Sequence, residues 1–217
     1  MAGRKRVVSE PKVPRRIVSP HERGGQMGTT TACVLGISGS LRSASTNTAL
    51  LRAAGALVDP AIGFRLWDEL ATIPPFDEDH EAEPPDPVLR MREAIDGAAA
   101  LVIATPEYNG SIPGQLKNAL DWASRPYGDS ALTGKTTAVI GASPSDYGAT
   151  WAQDALRRSL EAAGAHVLDT GVAVPRSDEA FDADGRLADA ALHIELGEAV
   201  WTLTTAMTEK EGLCDVR

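Results

Sequence analysis

The chain has 217 residues, of which 43% are hydrophobic and 24% are charged. This balance is typical of one globular domain and argues against disorder through most of the chain. No apolar run approaches the roughly 20 residues that cross a bilayer, and no apolar signal core follows the basic N-terminus. We therefore expect neither a membrane protein nor a secreted one.

The net charge of −9 is distributed unevenly along the chain. Residues 1–28 carry seven basic and two acidic side chains, which leaves 14 basic and 28 acidic residues, a charge of −14, in the remainder. An acidic body binds nucleic acid poorly because phosphate contacts need positive charge. We predict no nucleic-acid partner and a disordered basic extension over residues 1–30; contact of this extension with a polyanion is the alternative.

Strands and helices are predicted to alternate after the extension. Short apolar runs predict the strands, and apolar residues at i, i+3, i+4 and i+7 predict the helices. The predicted order is strand 32–38, helix 46–58, strand 64–67, helix 88–96, strand 99–105, helix 112–124, strand 136–141, helix 150–163, strand 166–169 and helix 187–207. Ser111 and Pro113 suit the start of the third helix. The proline-rich, acidic segment 72–87 is predicted to be a loop, either a lid or interface element or a solvated excursion.

Nearly continuous apolar strands that alternate with amphipathic helices predict a parallel sheet covered on both faces. The predicted fold is a flavodoxin-like, doubly wound α/β domain over residues 31–207, with five parallel strands in the order 2-1-3-4-5 and a C-terminal tail over 208–217. In such sheets, ligands bind beyond the carboxyl ends of the strands where the strand order reverses. The loops after Ser38, Thr105 and Gly141 are therefore the candidates for a binding site.

The loop after the first strand, residues 38–47, predicts a phosphate site. It lies between a strand and a helix N-terminus, where free backbone N–H groups and the helix dipole favour anions. Its candidate ligands for phosphate are Ser40, Arg42, Ser45, Thr46 and Asn47. Arg42 supplies a charge that can pair with phosphate through two parallel bonds. The alternative is a polar loop in which Ser45 only caps the helix.

The loop after the third strand, residues 106–114, predicts a flat polar ledge for a planar heterocycle. Its candidate binding residues are Pro106, Glu107, Tyr108, Asn109 and Gly110. Glycine allows backbone to approach a ligand closely. The alternatives are an ordinary Tyr-Asn-Gly bend and a merely solvated Glu107. Because the first and third strands are neighbours in the predicted order, one ligand can place its phosphate on the first loop and its ring on the second.

Other chemistries lack their sequence signatures. The Gly-Lys-Ser/Thr of a P-loop, the Gly-x-Gly-x-x-Gly of a dinucleotide fold and the Gly-x-Ser-x-Gly elbow of a hydrolase are absent. Four scattered histidines and two cysteines, Cys33 and Cys214, show no metal-ligand spacing. We therefore predict no metal and a reduced, cytoplasmic protein.

The sequences of these two loops resemble the corresponding segments of the NADPH-dependent FMN reductases, a family that includes quinone, azo-dye and chromate reductases. The matching segments are residues 39–47 and 106–114, with Lys117, Asn118, Asp121 and Trp122 following. The resemblance implies FMN bound noncovalently, with the first loop around its phosphate and the second along its ribityl chain and ring. It also implies NADPH or NADH as cosubstrate and a homodimer or homotetramer. The four residues after the second loop are expected to be helix-surface or subunit contacts.

The third loop departs from the family pattern, in which several glycines are common. It contains Pro144, which has no N–H, and the bulky Tyr147. Backbone from Ser143 to Gly148 is still expected to reach the ring, but the acceptor side of the site is expected to differ.

The resulting hypothesis is that NAD(P)H passes hydride to flavin N5, leaves, and is replaced by a small-molecule acceptor such as a quinone or free flavin. Two other functions remain open. One is a non-enzymatic electron carrier or redox sensor on the same fold, and the other is a reductase that supplies free reduced FMN to a monooxygenase.

Overall fold

The computed structural model describes residues 32–214, so the predicted extension 1–30 lies outside the described residues. Within this range six parallel strands form one sheet. They are β1 (Val34–Ser38), β2 (Phe64–Trp67), β3 (Ala100–Thr105), β4 (Thr136–Ala142), β5 (His166–Val167) and β6 (Ala173–Val174). The order β2-β1-β3-β4-β5, with β6 also paired to β4, confirms the predicted flavodoxin-like topology.

The predicted strand 166–169 is shorter in the structure, where β5 covers only His166–Val167. A further short strand that the sequence did not predict, β6, also pairs with β4. The guanidinium of Arg157 explains the interruption between β5 and β6. Its Nη1 donates to the Leu168 carbonyl (2.6 Å) and its Nη2 to the Thr170 carbonyl (2.7 Å). These carbonyls therefore bond a side chain where regular strands would bond a neighbouring strand.

Five α-helices cover the sheet. They are α1 (Thr46–Gly55), α2 (Asp86–Asp96), α3 (Gly114–Ala123), α4 (Thr150–Ala162) and α5 (Ala190–Cys214). Helix α5 begins three residues later than predicted, because Leu187 forms a bridge with Phe181, and it continues past the predicted end at residue 207. Helix α3 begins at Gly114 rather than at residue 112, because Ser111 pairs with Tyr108 instead of capping the helix.

Alternate strand residues face two separate apolar layers, as side chains of a strand must. Leu35, Leu101 and Val139 pack in one layer with residues of α2, α3 and α4. Val34, Val102 and Ile140 pack in the other with residues of α1 and α5. The central strands are buried on both faces, so their loops at the carboxyl edge of the sheet start from a rigid base.

The acidic, proline-rich segment packs on α3. Asn118 accepts from the Phe76 N–H (2.7 Å) and donates to the Pro74 carbonyl (2.8 Å), which also accepts from the Trp122 indole (2.9 Å). The Phe76 and Trp122 rings meet edge to face, with centroids 4.9 Å apart. Asn118 and Trp122 therefore hold this segment in place, a role that the sequence did not suggest.

Across residues 32–214, no helix combines the length and the hydropathy of a membrane span.

Replacing Arg157 with methionine is expected to lower the free energy of unfolding by about 1–3 kcal/mol, because the carbonyls of Leu168 and Thr170 lose a charged donor. The neighbouring exposed Arg158 provides the matched control. Arg158→Met should change stability by less than about 0.5 kcal/mol. Urea unfolding followed by tryptophan fluorescence measures both variants, and equal effects would contradict this role of Arg157.

Candidate functional site

Three loops meet at the carboxyl edge of the sheet, after β1, β3 and β4. The strand register sets their meeting point, because Ser38 lies opposite Ala104 and Thr105 lies opposite Gly141. A hydrogen bond from the Gly39 N–H to the Ala104 carbonyl (2.8 Å) continues the ladder one residue into the first loop. The loops that the sequence singled out thus start side by side.

A cleft of about 100 Å³ lies between these loops. Nine of the twelve predicted site residues line it: Ser40, Arg42, Ser45, Thr46, Asn47, Pro106, Glu107, Tyr108 and Ser143. Ala142 and Pro144, which are not among the predicted site residues, line it as well. The remaining three predicted residues, Asn109, Gly110 and Gly148, are not among its lining residues.

The first loop presents hydroxyl groups and backbone amides at the start of α1. The Ser45 hydroxyl accepts from the Thr48 N–H (3.2 Å), and the Ser40 hydroxyl accepts from the Arg42 N–H (3.3 Å). Each hydroxyl keeps its own proton for donation to a ligand. The N–H groups of the first helical turn have no partner within the helix. Ser45 is therefore a helix cap and a possible ligand donor at once.

Arg42 adds a full positive charge to this end of the cleft. Its side chain is exposed, and no carboxylate of the described residues forms a salt bridge with it. Its guanidinium is therefore available to an anion. Hydroxyls, helix N–H groups and one arginine together suit a phosphate monoester.

Asn47 joins the first loop to the third. Its Nδ2 donates to the Ala142 carbonyl and its Oδ1 accepts from the Ala142 N–H, both at 2.9 Å, and the side chain is buried. These two bonds use Oδ1 and one of the two Nδ2 hydrogens of the amide that was predicted to bind phosphate, so this side chain also fixes the third loop. The sequence could not show this contact, because the partners are 95 residues apart.

The Tyr-Asn-Gly segment of the second loop is a tight turn. Tyr108 and Ser111 exchange backbone hydrogen bonds of 3.0 and 3.1 Å. The two central residues, Asn109 and Gly110, have φ values of 53° and 72°, as a type I′ turn requires. This geometry explains the Asn-Gly pair, and it keeps the Ser111 N–H within the turn.

Glu107 joins the second loop to α4. Its carboxylate accepts from the Ala152 N–H (3.1 Å) in the first turn of that helix. The residue before α4, Ala149, has no side chain that could cap the helix. Glu107 therefore supplies the cap from another loop, where the helix dipole favours its negative charge.

The third loop uses its polar groups on neighbouring backbone. The Ser143 N–H donates to the Val174 carbonyl (3.1 Å), so it is not available to a ring. Gly148 has a φ of 59°, and a Cβ there would lie 2.6 Å from the Ala173 carbonyl carbon. Only glycine therefore allows the backbone at position 148 to pack this closely against β6.

The cleft is smaller than the pockets that enclose ligands of cofactor size, which measure roughly 300–1,000 Å³. A phosphorylated ligand with a tricyclic ring therefore extends from the phosphate end onto the open rim. The donor set of the first loop fits the phosphate of FMN, and the buried Pro106 begins the second loop, which borders the cleft beside it.

Comparison with known proteins supports the same chemistry. A family model described as NADPH-dependent FMN reductase matches residues 33–179, which include all three loops. An NAD(P)H-dependent FMN reductase of Pseudomonas aeruginosa is 48% identical over 158 residues, or 72% of this chain and 84% of that protein. A quinone reductase of Pseudomonas putida is 45% identical over 123 residues, or 56% of this chain and 66% of that protein.

A solved structure is similar over nearly its whole length. The flavoenzyme NAD(P)H:(acceptor) oxidoreductase from Paracoccus denitrificans has a TM-score of 0.74 at 35% identity. The match covers 82% of this chain and 98% of that one.

Replacing Asn47 with alanine is expected to lower the free energy of unfolding by about 2–4 kcal/mol, because it leaves the buried N–H and C=O of Ala142 without partners. Asn47→Asp keeps an acceptor for the N–H but places a carboxylate against the carbonyl, so it should also destabilise. The exposed Asn109 offers a control, since Asn109→Gly keeps its turn. Urea denaturation measures the free energy of unfolding of the three variants. An Asn47→Ala protein as stable as the parent would contradict this role of the Asn47–Ala142 hydrogen bonds.

Proposed function

Since the chain belongs to the NADPH-dependent FMN reductase family, we propose that its cleft holds FMN and that the enzyme passes electrons from NAD(P)H to a quinone or a free flavin. The observation that supports this proposal is the convergence of the β1, β3 and β4 loops on one cleft with an anion-binding end. The relatives named above support the cofactor and the cosubstrate.

The phosphate of FMN is assigned to the first loop. Ser40, Ser45 and the first-turn N–H groups would donate hydrogen bonds, and Arg42 would neutralise charge. Thr46 has a hydroxyl 3.3 Å from Ser177, which orients it within the cleft wall. Asn47 is assigned a positioning role through Ala142.

The ring of FMN is assigned to the ledge after β3. Pro106 and Tyr108 would border it, and Glu107 would hold the ledge against α4 through its cap. Asn109 and Gly110 shape the turn that ends the ledge. Ser143 and Gly148 set the third loop beside it, with Pro144 facing the cleft.

When bound, FMN supplies the redox chemistry, accepting hydride from NAD(P)H and passing on two electrons. NAD(P)H thereby becomes NAD(P)⁺, and a quinone gains two electrons and two protons, one of them from solvent. Among the lining residues only Arg42, Glu107 and Tyr108 are ionisable. No side chain needs to act as acid or base, so the protein binds, orients and shields the reactants.

A quinone is the favoured acceptor because the Pseudomonas putida relative is named a quinone reductase. Enzymatic relatives make the electron-carrier alternative less favoured. A homodimer or homotetramer and a cytoplasmic location remain predictions from the resemblance and the cysteine content.

Arg42→Ala is expected to weaken FMN binding by roughly 1.5–3 kcal/mol, because a charge-assisted bond to phosphate is lost. The exposed Arg52 of α1 is the control, since Arg52→Ala removes the same charge from the other end of the helix. Fluorescence titration of each apoprotein with FMN measures the dissociation constant. Unchanged affinity in Arg42→Ala would place the phosphate elsewhere.

If NAD(P)H leaves the cleft before the acceptor enters it, the enzyme should follow ping-pong kinetics. Initial rates of NAD(P)H oxidation by the FMN-loaded protein, with menadione varied at several NAD(P)H concentrations, should give parallel double-reciprocal lines. Intersecting lines would show that both substrates bind together. Absence of turnover with both menadione and ferricyanide would favour an electron carrier.

A further inference from the structure

Large apolar side chains are exposed around the rim of the cleft. Leu41 of the first loop, Tyr108 of the second and Tyr147 of the third are 58%, 52% and 60% exposed, and Trp151 in the first turn of α4 is 50% exposed. Exposed aromatic groups gathered beside a cleft commonly mark a binding surface. The cleft itself does not use Tyr147 or Trp151, since neither lines it.

Tyr147 and Trp151 form a contacting pair. Their ring centroids are 4.8 Å apart, and the ring planes are inclined by 46°. Tyr147 lies in the third loop and Trp151, four residues later, lies in the first turn of α4. The loop and the helix therefore expose both rings on one side. Two rings in contact offer a larger apolar face than either ring alone.

Hydrogen bonds hold this pair beside the cleft from two sides. The Tyr147 N–H donates to the Ser145 hydroxyl (3.3 Å), which bonds the hydroxyl of the cleft residue Ser143 (3.1 Å). On the other side, the cleft residue Glu107 accepts from Ala152, the neighbour of Trp151. The pair is therefore positioned relative to the cleft although its rings are exposed.

We propose that Tyr147 and Trp151 form an acceptor subsite that stacks against aromatic and quinonoid acceptors. This inference rests on the proposed function, because it assumes that an acceptor is reduced beside the ledge. Aromatic faces attract flat apolar rings, whereas they offer nothing to a small hydrophilic anion. Beside Tyr147, the Asp146 carboxylate lies 4.0 Å from the guanidinium of Arg176, so this acidic neighbour has a basic partner. We therefore expect ring contact to contribute more than charge to acceptor selection by this pair.

The test compares two acceptors on FMN-loaded variants. Tyr147→Ala and Trp151→Ala are each expected to lower kcat/KM for menadione about tenfold, a loss of the size of one aromatic contact. With ferricyanide, which has no ring, kcat/KM should change less than about twofold. Tyr147→Phe keeps the ring and should behave as the parent protein. Tyr127→Ala provides the control, because Tyr127 is 86% exposed on the segment after α3, outside the cleft lining.

Two further measurements distinguish failure of the acceptor subsite from failure of the proposed function. Anaerobic bleaching of the bound flavin by NAD(P)H should have the same rate in all variants, and menadione binding without NAD(P)H should be weakened about tenfold in Tyr147→Ala and Trp151→Ala alone. If the parent protein never oxidises NAD(P)H, the proposed function fails, and the binding measurement still decides the subsite.

Several results would overturn the subsite. These are an equal loss with menadione and ferricyanide, a loss confined to the NAD(P)H step, or unchanged menadione binding. A change of oligomeric state in sedimentation, with unchanged acceptor preference, would assign the pair to a contact between copies of the chain.

Discussion

The paired hydrogen bonds between the Asn47 side chain and the Ala142 backbone are the interaction on which the site depends. They join the start of α1 to the end of β4, with the end of β3 lying between them in the sheet order. A buried amide that satisfies both a donor and an acceptor is costly to remove and permits little displacement. The first and third loops therefore keep a fixed distance from each other, and a ligand that contacts both meets a preformed cleft.

Two polar side chains that line the cleft each have two roles. Ser45 caps α1 and retains a proton for a ligand, and Glu107 borders the cleft while it caps α4. Backbone N–H and C=O groups must be satisfied when buried, so loops of this kind use side chains for that purpose. The same bonds fix the positions of these side chains before any ligand binds, which lowers the entropy cost of binding.

We expect the residues at the rim of the cleft to tolerate substitution better than those at the proposed phosphate end. The proposed phosphate end consists of the first loop and the start of α1, both of which are bonded to the sheet. The rim carries Tyr147 and Trp151 on the third loop and the start of α4, and their rings are free of the core. Residues in such a position can change without loss of the fold, because the side chains that hold the cleft lie beneath them.

The sequence by itself determined the alternation of strands with five helices and the two loops of the cleft, because these follow from apolar periodicity and from turn-forming residues. The strand order was predicted from the flavodoxin-like fold that this alternation suits, and with it the edge where ligands bind. Tertiary structure decided the interruption between β5 and β6, the tie from Asn47 to Ala142, the cap by Glu107 and the packing of the acidic segment on Asn118 and Trp122. Each of these depends on a hydrogen bond between residues far apart in the chain, with the Arg157 contacts as the nearest in sequence. No local pattern specifies which distant carbonyl or N–H a polar side chain will reach, since only the packed sheet and helices bring the two together.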